Sequence, residues 1–274
     1  MFLPILAALG SAASHPFYPI YARKGAHPLT VNFWGILLAT LLFSFCFFSF
    51  QFWQDIALSW KLIVLSSLFH FAYIIMSLTL IAKHEFQVLY PLTRLAPVLI
   101  LLGEMFLLGS DFSFLQIVGV VAVTSGALIF GFDKKIASIR LTVLFSVLAM
   151  AVFVTGFHLT DKKLLEFFSP SEMWALIAFQ IPLHIWVIFW RKKEAFADLK
   201  NYKNLFKFEV AAVLNWYLAL WAMQFLSATV VFSIRNLSIL FGVFLGARLF
   251  HEGHKLLRYA AAVLIVVGAA MTVI

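Results

Sequence analysis

Long apolar runs separated by short polar interruptions extend along the whole chain, and the runs divide into ten segments long enough to cross a bilayer as helices, which takes about 20 residues each. The pattern predicts helices at about Leu3–Ala22, Thr30–Phe50, Lys61–Ala82, Phe86–Gly109 and Phe114–Gly131. After the polar link Asp133-Lys134-Lys135 it predicts five more, at about Arg140–Thr160, Glu172–Trp190, Leu205–Leu226, Ala228–Phe250 and Leu256–Ile274. Charges, Pro28 and the Gly109-Ser110-Asp111 cluster mark the turns. Pro4, Pro16 and Pro19 make the first segment a kinked span whose freed backbone groups need protein neighbours. A cleaved signal peptide is the rival reading there, with Ser11 to Ser14 as the small-residue site. No basic stretch precedes Leu3 and the apolar character continues past Ser14, which favours the span.

Shifting the sequence by 142 positions superposes the two sets of five segments without a gap: Pro28 meets Pro170, Leu95 meets Leu237, and Gly126-Ala127 meets Gly268-Ala269. Tyr90, Arg94 and Ala96 meet Phe232, Asn236 and Ser238. The chain therefore reads as a tandem repeat, residues 1–133 and 138–274. An odd number of spans per copy reverses the second copy in the membrane. The expected fold class is an all-α integral membrane protein of ten transmembrane helices in two inverted five-helix repeats.

Composition agrees. Of 274 residues, 64% are hydrophobic and 12% charged, and the mean hydropathy is +1.00, far from a soluble domain. Ten spans leave no room for a soluble domain. No P-loop, nucleophile elbow or paired-carboxylate pattern is present, which excludes ATP-driven transport by this chain alone. The net charge of +8 is assigned to loops facing an anionic leaflet, not to nucleic acid. Loops after helices 1, 3, 5, 7 and 9 hold fifteen of the twenty Lys and Arg residues, and the opposite loops hold Lys61, Lys162 and Lys163. The remaining two, Arg94 and Arg235, lie inside spans. By the positive-inside rule both termini face outward from a plasma membrane, the inner membrane in a bacterium. Cys46, the only cysteine, lies in an apolar run, so no intramolecular disulfide is possible.

The segment Leu245-Gly246-Ala247-Arg248-Leu249-Phe250-His251-Glu252, followed by a helix of spaced small residues through Gly268, resembles the EamA-type repeat of the drug/metabolite transporter superfamily. In that repeat an acidic residue closing helix 4 precedes a glycine of helix 5 by sixteen positions, as Glu252 precedes Gly268. The first repeat departs from it: Ser110 takes that place before Gly126, and Leu102-Gly103-Glu104 sits six residues earlier. The resemblance implies a transporter of ten helices, with a central solute site lined mainly by helices 1, 3, 4, 6, 8 and 9.

The candidate chemistry lies on polar faces within the spans. Gln87, Tyr90 and Arg94 share a face of helix 4. His70, Tyr73, Ser77 and His84 share one on helix 3, and Ser11, His15 (or Ser14), Tyr18 and Tyr21 one on helix 1. Asn215, Trp216 and Tyr217 on helix 8, Arg235 and Asn236 on helix 9, and His158 and Asp161 on helix 6 answer from the second repeat. A charge at a helix centre costs about 2.5–3.5 kcal/mol on insertion scales, so Arg94 reads as a guanidinium fork for a carboxylate, phosphate or phosphonate. The alternative is a structural pair with Asp161; Glu104 lies about 15 Å along the helix, out of reach. Arg235 has the same functional reading from the other repeat; one position off the equivalent of Arg94, its alternative is packing toward a different helix. Glu104 is a candidate coupling group, since a carboxylate in an apolar site can load and release a proton, and its alternative is a solvated helix end. His251, Glu252 and His254 lie close together, but two histidines three apart in a short loop with no further ligand do not argue for a metal, and Glu252 is explained as the helix-end acid of the resembled repeat. No cofactor is expected. The small residues Gly119, Gly126, Ala260, Ala261, Gly268 and Ala269 permit close helix packing, within one chain or in a homodimer.

Together these readings predict a secondary transporter of a small polar organic solute, anionic or zwitterionic, coupled to a proton or counter-solute, with a site of His15, Tyr18, His70, Tyr73, Tyr90, Arg94, Asn215, Trp216, Arg235 and Asn236. The rival is a proton-coupled exporter of amino acids or hydrophobic amines using Glu104 or Asp161. A remoter one is an integral membrane lipid enzyme using His70, His84 and Glu85.

Overall fold

A computed structural model describes residues 2–14, 28–83, 95–131, 141–190, 193, 202–240 and 256–274. Ten helices run through them: α1 (Phe2–Ser14), α2 (Pro28–Leu42), α3 (Phe50–Lys83), α4 (Ala96–Leu107), α5 (Phe114–Gly131), α6 (Leu141–Leu164), α7 (Pro170–Leu176, continuing as Ile181–Trp190), α8 (Tyr202–Met223), α9 (Ala228–Arg235) and α10 (Leu256–Val273). No strand occurs among the described residues. The repeat offset carries α5 onto residues 256–273, the bounds of α10.

The packing obeys the same exchange. α1 lies on α8 as α6 lies on α3, and α1 touches α9 as α6 touches α4. The pairs α2 with α7, α4 with α9 and α5 with α10 each join a helix to its own repeat mate. Phe52, Ile100, Leu164, Leu220, Met223 and Ile234 are fully buried at the centre. Large apolar side chains such as Leu58, Phe145, Val152, Trp186 and Val267 point outward, as a lipid surround requires. Among the described residues Phe50–Ser77 is by itself long and apolar enough to cross a membrane; other apolar helices described span 10–17 residues.

Several boundaries differ from the sequence expectation: α6 runs on to Leu164, past the expected end at Thr160, α9 stops at Arg235 although a continuous span was expected there, and two further differences are breaks within expected spans. The second span was expected to run to Phe50, yet α2 stops at Leu42, a 3-10 turn occupies Ser44–Phe48, and α3 begins at Phe50, not Lys61. Hydropathy is blind to this break because the turn, Ser44-Phe45-Cys46-Phe47-Phe48, is itself mostly apolar. Ser44 Oγ donates to the Leu41 carbonyl and Ser49 Oγ accepts from Phe52 N, closing one helix and opening the next. Lys61, taken as a loop residue, therefore sits within α3, its ammonium 5.8 Å from the centroid of the exposed Trp60 ring. At about 1.5 Å per residue, the 34 residues of α3 are longer than a hydrocarbon core of about 30 Å.

The second difference is the break in α7. Pro182 has no N–H to give the Ala178 carbonyl and its ring crowds that group, so Ile177–Gln180 tighten into a 3-10 turn. The N-terminus of α7 is firm: Ser169 and Glu172 form a reciprocal capping box, with Pro170 in the first turn.

The small residues of α5 and α10 pack against each other within the chain. A Cβ on Gly119 would stand 2.7 Å from the Gly268 carbonyl oxygen, and one on Gly268 would stand 2.7 Å from both Gly119 O and Val123 N. Backbone cannot yield as a side-chain tip can. Gly268→Val is therefore expected to cost about 1–3 kcal/mol by overpacking, read as a fall in melting temperature of the purified protein, whereas Val267→Ala, at a half-exposed outward position, leaves it within error.

Candidate solute site

The interior polar groups gather in two neighbouring places. In the first, Asn215 Oδ1 on α8 accepts from Ser11 Oγ at 3.0 Å and from Arg235 Nη2 at 3.1 Å, joining α1, α8 and α9. The Arg235 guanidinium also lies over two rings, 4.6 Å from the centroid of Phe232 and 5.2 Å from that of Trp216. Arg235 is 5% exposed and Asn236 2%. The Asn236 amide nitrogen and His158 Nδ1 are buried without a hydrogen-bond partner among the described residues, a mark of a place where solute or water belongs.

The second is a small cavity of ≈ 40 Å³, continuous with solvent, between α3, α6, α7 and α8. Its polar lining is Ser66, Ser67, His70, Asp161 and Gln180; Phe157, Trp174 and Trp216 supply aromatic walls. His70 Nδ1 donates to Gln180 Oε1 at 2.8 Å, and Ser66 Oγ donates to Asp161 Oδ1 at 2.7 Å. The two places share a wall of stacked rings. His70 lies on Phe157 at 4.3 Å, Phe157 on Trp216 at 4.9 Å, Trp216 on His158 at 5.0 Å and His158 on Phe232 at 3.7 Å between centroids.

Of the expected site residues, the structure brings together His70, Asn215, Trp216 and Arg235. Tyr73 packs beside them, its ring 6.5 Å from that of His70, and Asn236 follows Arg235 into the interior. His15, Tyr18, Tyr90 and Arg94 lie outside the described residues, as do Gln87, His84, Glu85, His251, Glu252 and His254. Ser66, Ser67 and Gln180 were not anticipated. Ser66 extends the helix 3 stripe one turn before His70, but starting that span at Lys61 made it look terminal. Gln180 was legible only as a lone amide in an apolar run, beside the proline that breaks α7. The family-implied lining omitted helix 7, which contributes five of the cavity residues. His184 also goes unforeseen: its Nδ1 bonds the Gln180 carbonyl, so Nε2 accepts from the Asn32 amide at 2.8 Å and ties α7 to α2.

Glu104 is not a solvated helix end. It is 1% exposed, and its two oxygens accept from Ala228 N and Thr229 N, each at 2.8 Å, at the start of α9. Ser227 Oγ accepts from Val230 N, so the first three amides of α9 are all satisfied. At the same corner Lys162 Nζ donates to the Leu226 carbonyl at 2.9 Å and to that of Met223, the last residue of α8. Anion at a helix start and cation at a helix end both suit the helix dipoles. Gly103 makes room for this arrangement: a Cβ there would collide with Leu159 of α6.

The EamA-like transporter family model matches residues 2–132 and, a second time, residues 140–274. A solved crystal structure, described only as that of a protein, is similar over 98% of this chain and 98% of its own, with a TM-score of 0.67 and 13% identity, a likeness of fold alone. No curated protein matches the chain.

Hydrogen bonds to charged groups contribute about 1.5–3 kcal/mol each, and an orphaned buried donor costs more than a bond never made. Glu104→Ala, which leaves two amides of α9 unsatisfied, is expected to lower unfolding stability by at least about 3 kcal/mol in a denaturant titration. Glu104→Gln, able to accept only one, should fall between it and the parent.

Proposed function

Because the chain belongs to the EamA-like transporter family, a membrane-embedded, multi-pass family of small-molecule transporters, we propose that it is a secondary active transporter of a small polar organic metabolite, anionic or zwitterionic. It performs no covalent chemistry on its solute. The two repeats rock about a site near the membrane midplane, opening it to each side in turn.

The observation that carries this reading is the buried Ser11–Asn215–Arg235 cluster. A guanidinium held between an amide and two ring faces, beside amide and imidazole nitrogens that have no partner among the described residues, is chemistry for receiving a carboxylate or phosphate deep in an apolar protein. Arg94, from the matching helix of the first repeat, is the second cation of the path. A proton or a counter-solute supplies the driving force. The fifteen-to-three distribution of basic loop residues supports both termini outside a plasma membrane, the inner membrane in a bacterium.

A thermal-shift screen of purified protein tests the solute class, since a ligand at a hundred times its dissociation constant stabilises by about 2.7 kcal/mol. Organic anions or zwitterions should stabilise the parent and be taken up by proteoliposomes, and Arg235→Ala and Arg94→Ala should each lose at least tenfold in affinity. Anion transport unaltered in both variants refutes the assignment. Orientation is checked separately in a Cys46→Ala background: cysteine at Ser113 should react with a membrane-impermeant maleimide on intact cells, and cysteine at Lys193 only after permeabilisation.

A further inference from the structure

Among the described residues lining the cavity between α3, α6, α7 and α8, Asp161 is the one acid, and it is 2% exposed. A buried carboxylate needs a counter-charge or a full set of donors. One Asp161 oxygen accepts from Ser66 Oγ, and the other has no donor among the described residues. The neighbouring lysines are engaged elsewhere: Lys162 spans the Met223 and Leu226 carbonyls, and Lys163 pairs with Glu166 at 2.8 Å on the surface. His70, from α3, gives its Nδ1 hydrogen to Gln180, so its other nitrogen carries a lone pair and no proton to offer. α7 and α8 bring no charged group to the described lining. Asp161 also lies in the last turn of α6, where the helix carbonyls add negative potential.

The space before this acid is small. A cavity of ≈ 40 Å³ admits about three water-sized bodies, at roughly 10–15 Å³ each, which suits an ion with a remnant of its water shell. Oxygens surround it: the second carboxylate oxygen of Asp161, the hydroxyls of Ser66 and Ser67, and Gln180 Oε1, which accepts from His70 and keeps another lone pair. Carboxylate, hydroxyl and carbonyl oxygens are the ligands of hard cations. The charge count selects the valence, since a single carboxylate balances a single positive charge and a divalent ion would leave an excess buried in the span. A gathering of three His, Cys, Asp or Glu side chains, such as a transition metal favours, does not occur among the described residues. α7 is itself broken at this level by the 3-10 turn Ile177–Gln180, and interrupted helices are where membrane transporters place ligands for small cations.

We propose that Asp161, Ser66, Ser67 and Gln180 form a binding site for a partly dehydrated monovalent alkali cation. The cation supplies the counter-charge that Asp161 lacks, water completes its shell, and its ligands tie the broken α7 to α3 and α6. There is one such site per chain, because the repeat equivalents of Asp161, Ser66 and Gln180 are Pro19, Phe208 and Leu38, none of which offers a side-chain oxygen. The site goes beyond the transporter reading and does not depend on it, since nothing in its chemistry requires an organic solute.

The test is equilibrium binding of radiolabelled sodium to the purified full chain exchanged into choline chloride, at constant ionic strength, with the melting temperature read alongside. Sodium should bind the parent saturably at one ion per chain and raise its melting temperature, and added choline should not. Asp161→Asn has nearly the parent's shape and should still melt cooperatively in choline chloride, yet bind sodium at least tenfold more weakly and lose the sodium-dependent shift. Asp161→Glu, which keeps the charge, should retain part of the binding, and Ser66→Ala and Ser67→Ala should each weaken it by a smaller factor. The proposal is overturned if the parent takes up no saturable sodium up to about 100 mM, roughly a hundredfold weaker than a millimolar site, or if Asp161→Asn binds sodium as the parent does. Should Asp161→Asn fail to fold, the two serine variants decide: unchanged affinity in both overturns the proposal, and a loss in either upholds it. Proteoliposome flux separates this site from the transporter reading: Asp161-dependent sodium binding with no flux of any organic solute sinks the transporter reading and leaves the ion site standing, whereas solute flux by a chain that binds no sodium does the reverse.

Discussion

A carboxylate pinned to the start of a helix, far inside the protein, is the contact on which the interior depends. Glu104 belongs to the first repeat and α9 to the second, so its two hydrogen bonds join the halves where no water can substitute for either partner. Their energy is only part of their effect. By fixing where α9 begins they fix the angular position of Phe232 and Arg235 one and two turns later, and so the stack of rings and the guanidinium against Asn215. Lys162 completes the corner from α6, and the residue before it, Asp161, faces the cavity. One turn of α6 thus supplies both the clamp for the α8–α9 corner and the acid of the cavity.

Most of the architecture is legible along the chain because bilayer thickness imposes a length and repetition imposes an offset. α5 and α10 fall where 142 residues of shift put them, and their glycines meet backbone to backbone. What hydropathy cannot see is structure made from apolar residues. The turn through Cys46 is apolar but for Ser44 and the break before Pro182 apolar but for Gln180, too little to register in hydropathy, and the start of α3 lies eleven residues before the hydropathy boundary for that reason.

The site was legible residue by residue, not as a place. His70, Tyr73, Asn215, Trp216 and Arg235 announce themselves as polar or amphipathic groups inside spans, but the separation of Ser66 from Asp161 is 95 residues and that of His70 from Gln180 is 110. Spacing within a helix gives no hint of such pairings. Glu104 shows the limit most clearly. Its sequence surroundings allow both a carboxylate in an apolar site and a solvated helix end, and the arrival of α9, 124 residues later, is what makes it an interior group.

The symmetry of the fold is broken at that same residue. Position 246, the repeat equivalent of Glu104, is glycine. Two identical halves would give equal free energies to the states open on either side. The carboxylate that fastens the start of α9 has no acidic counterpart at its repeat position, so the two halves are not interchangeable at this corner and sequence repetition here does not extend to the contact that joins the halves.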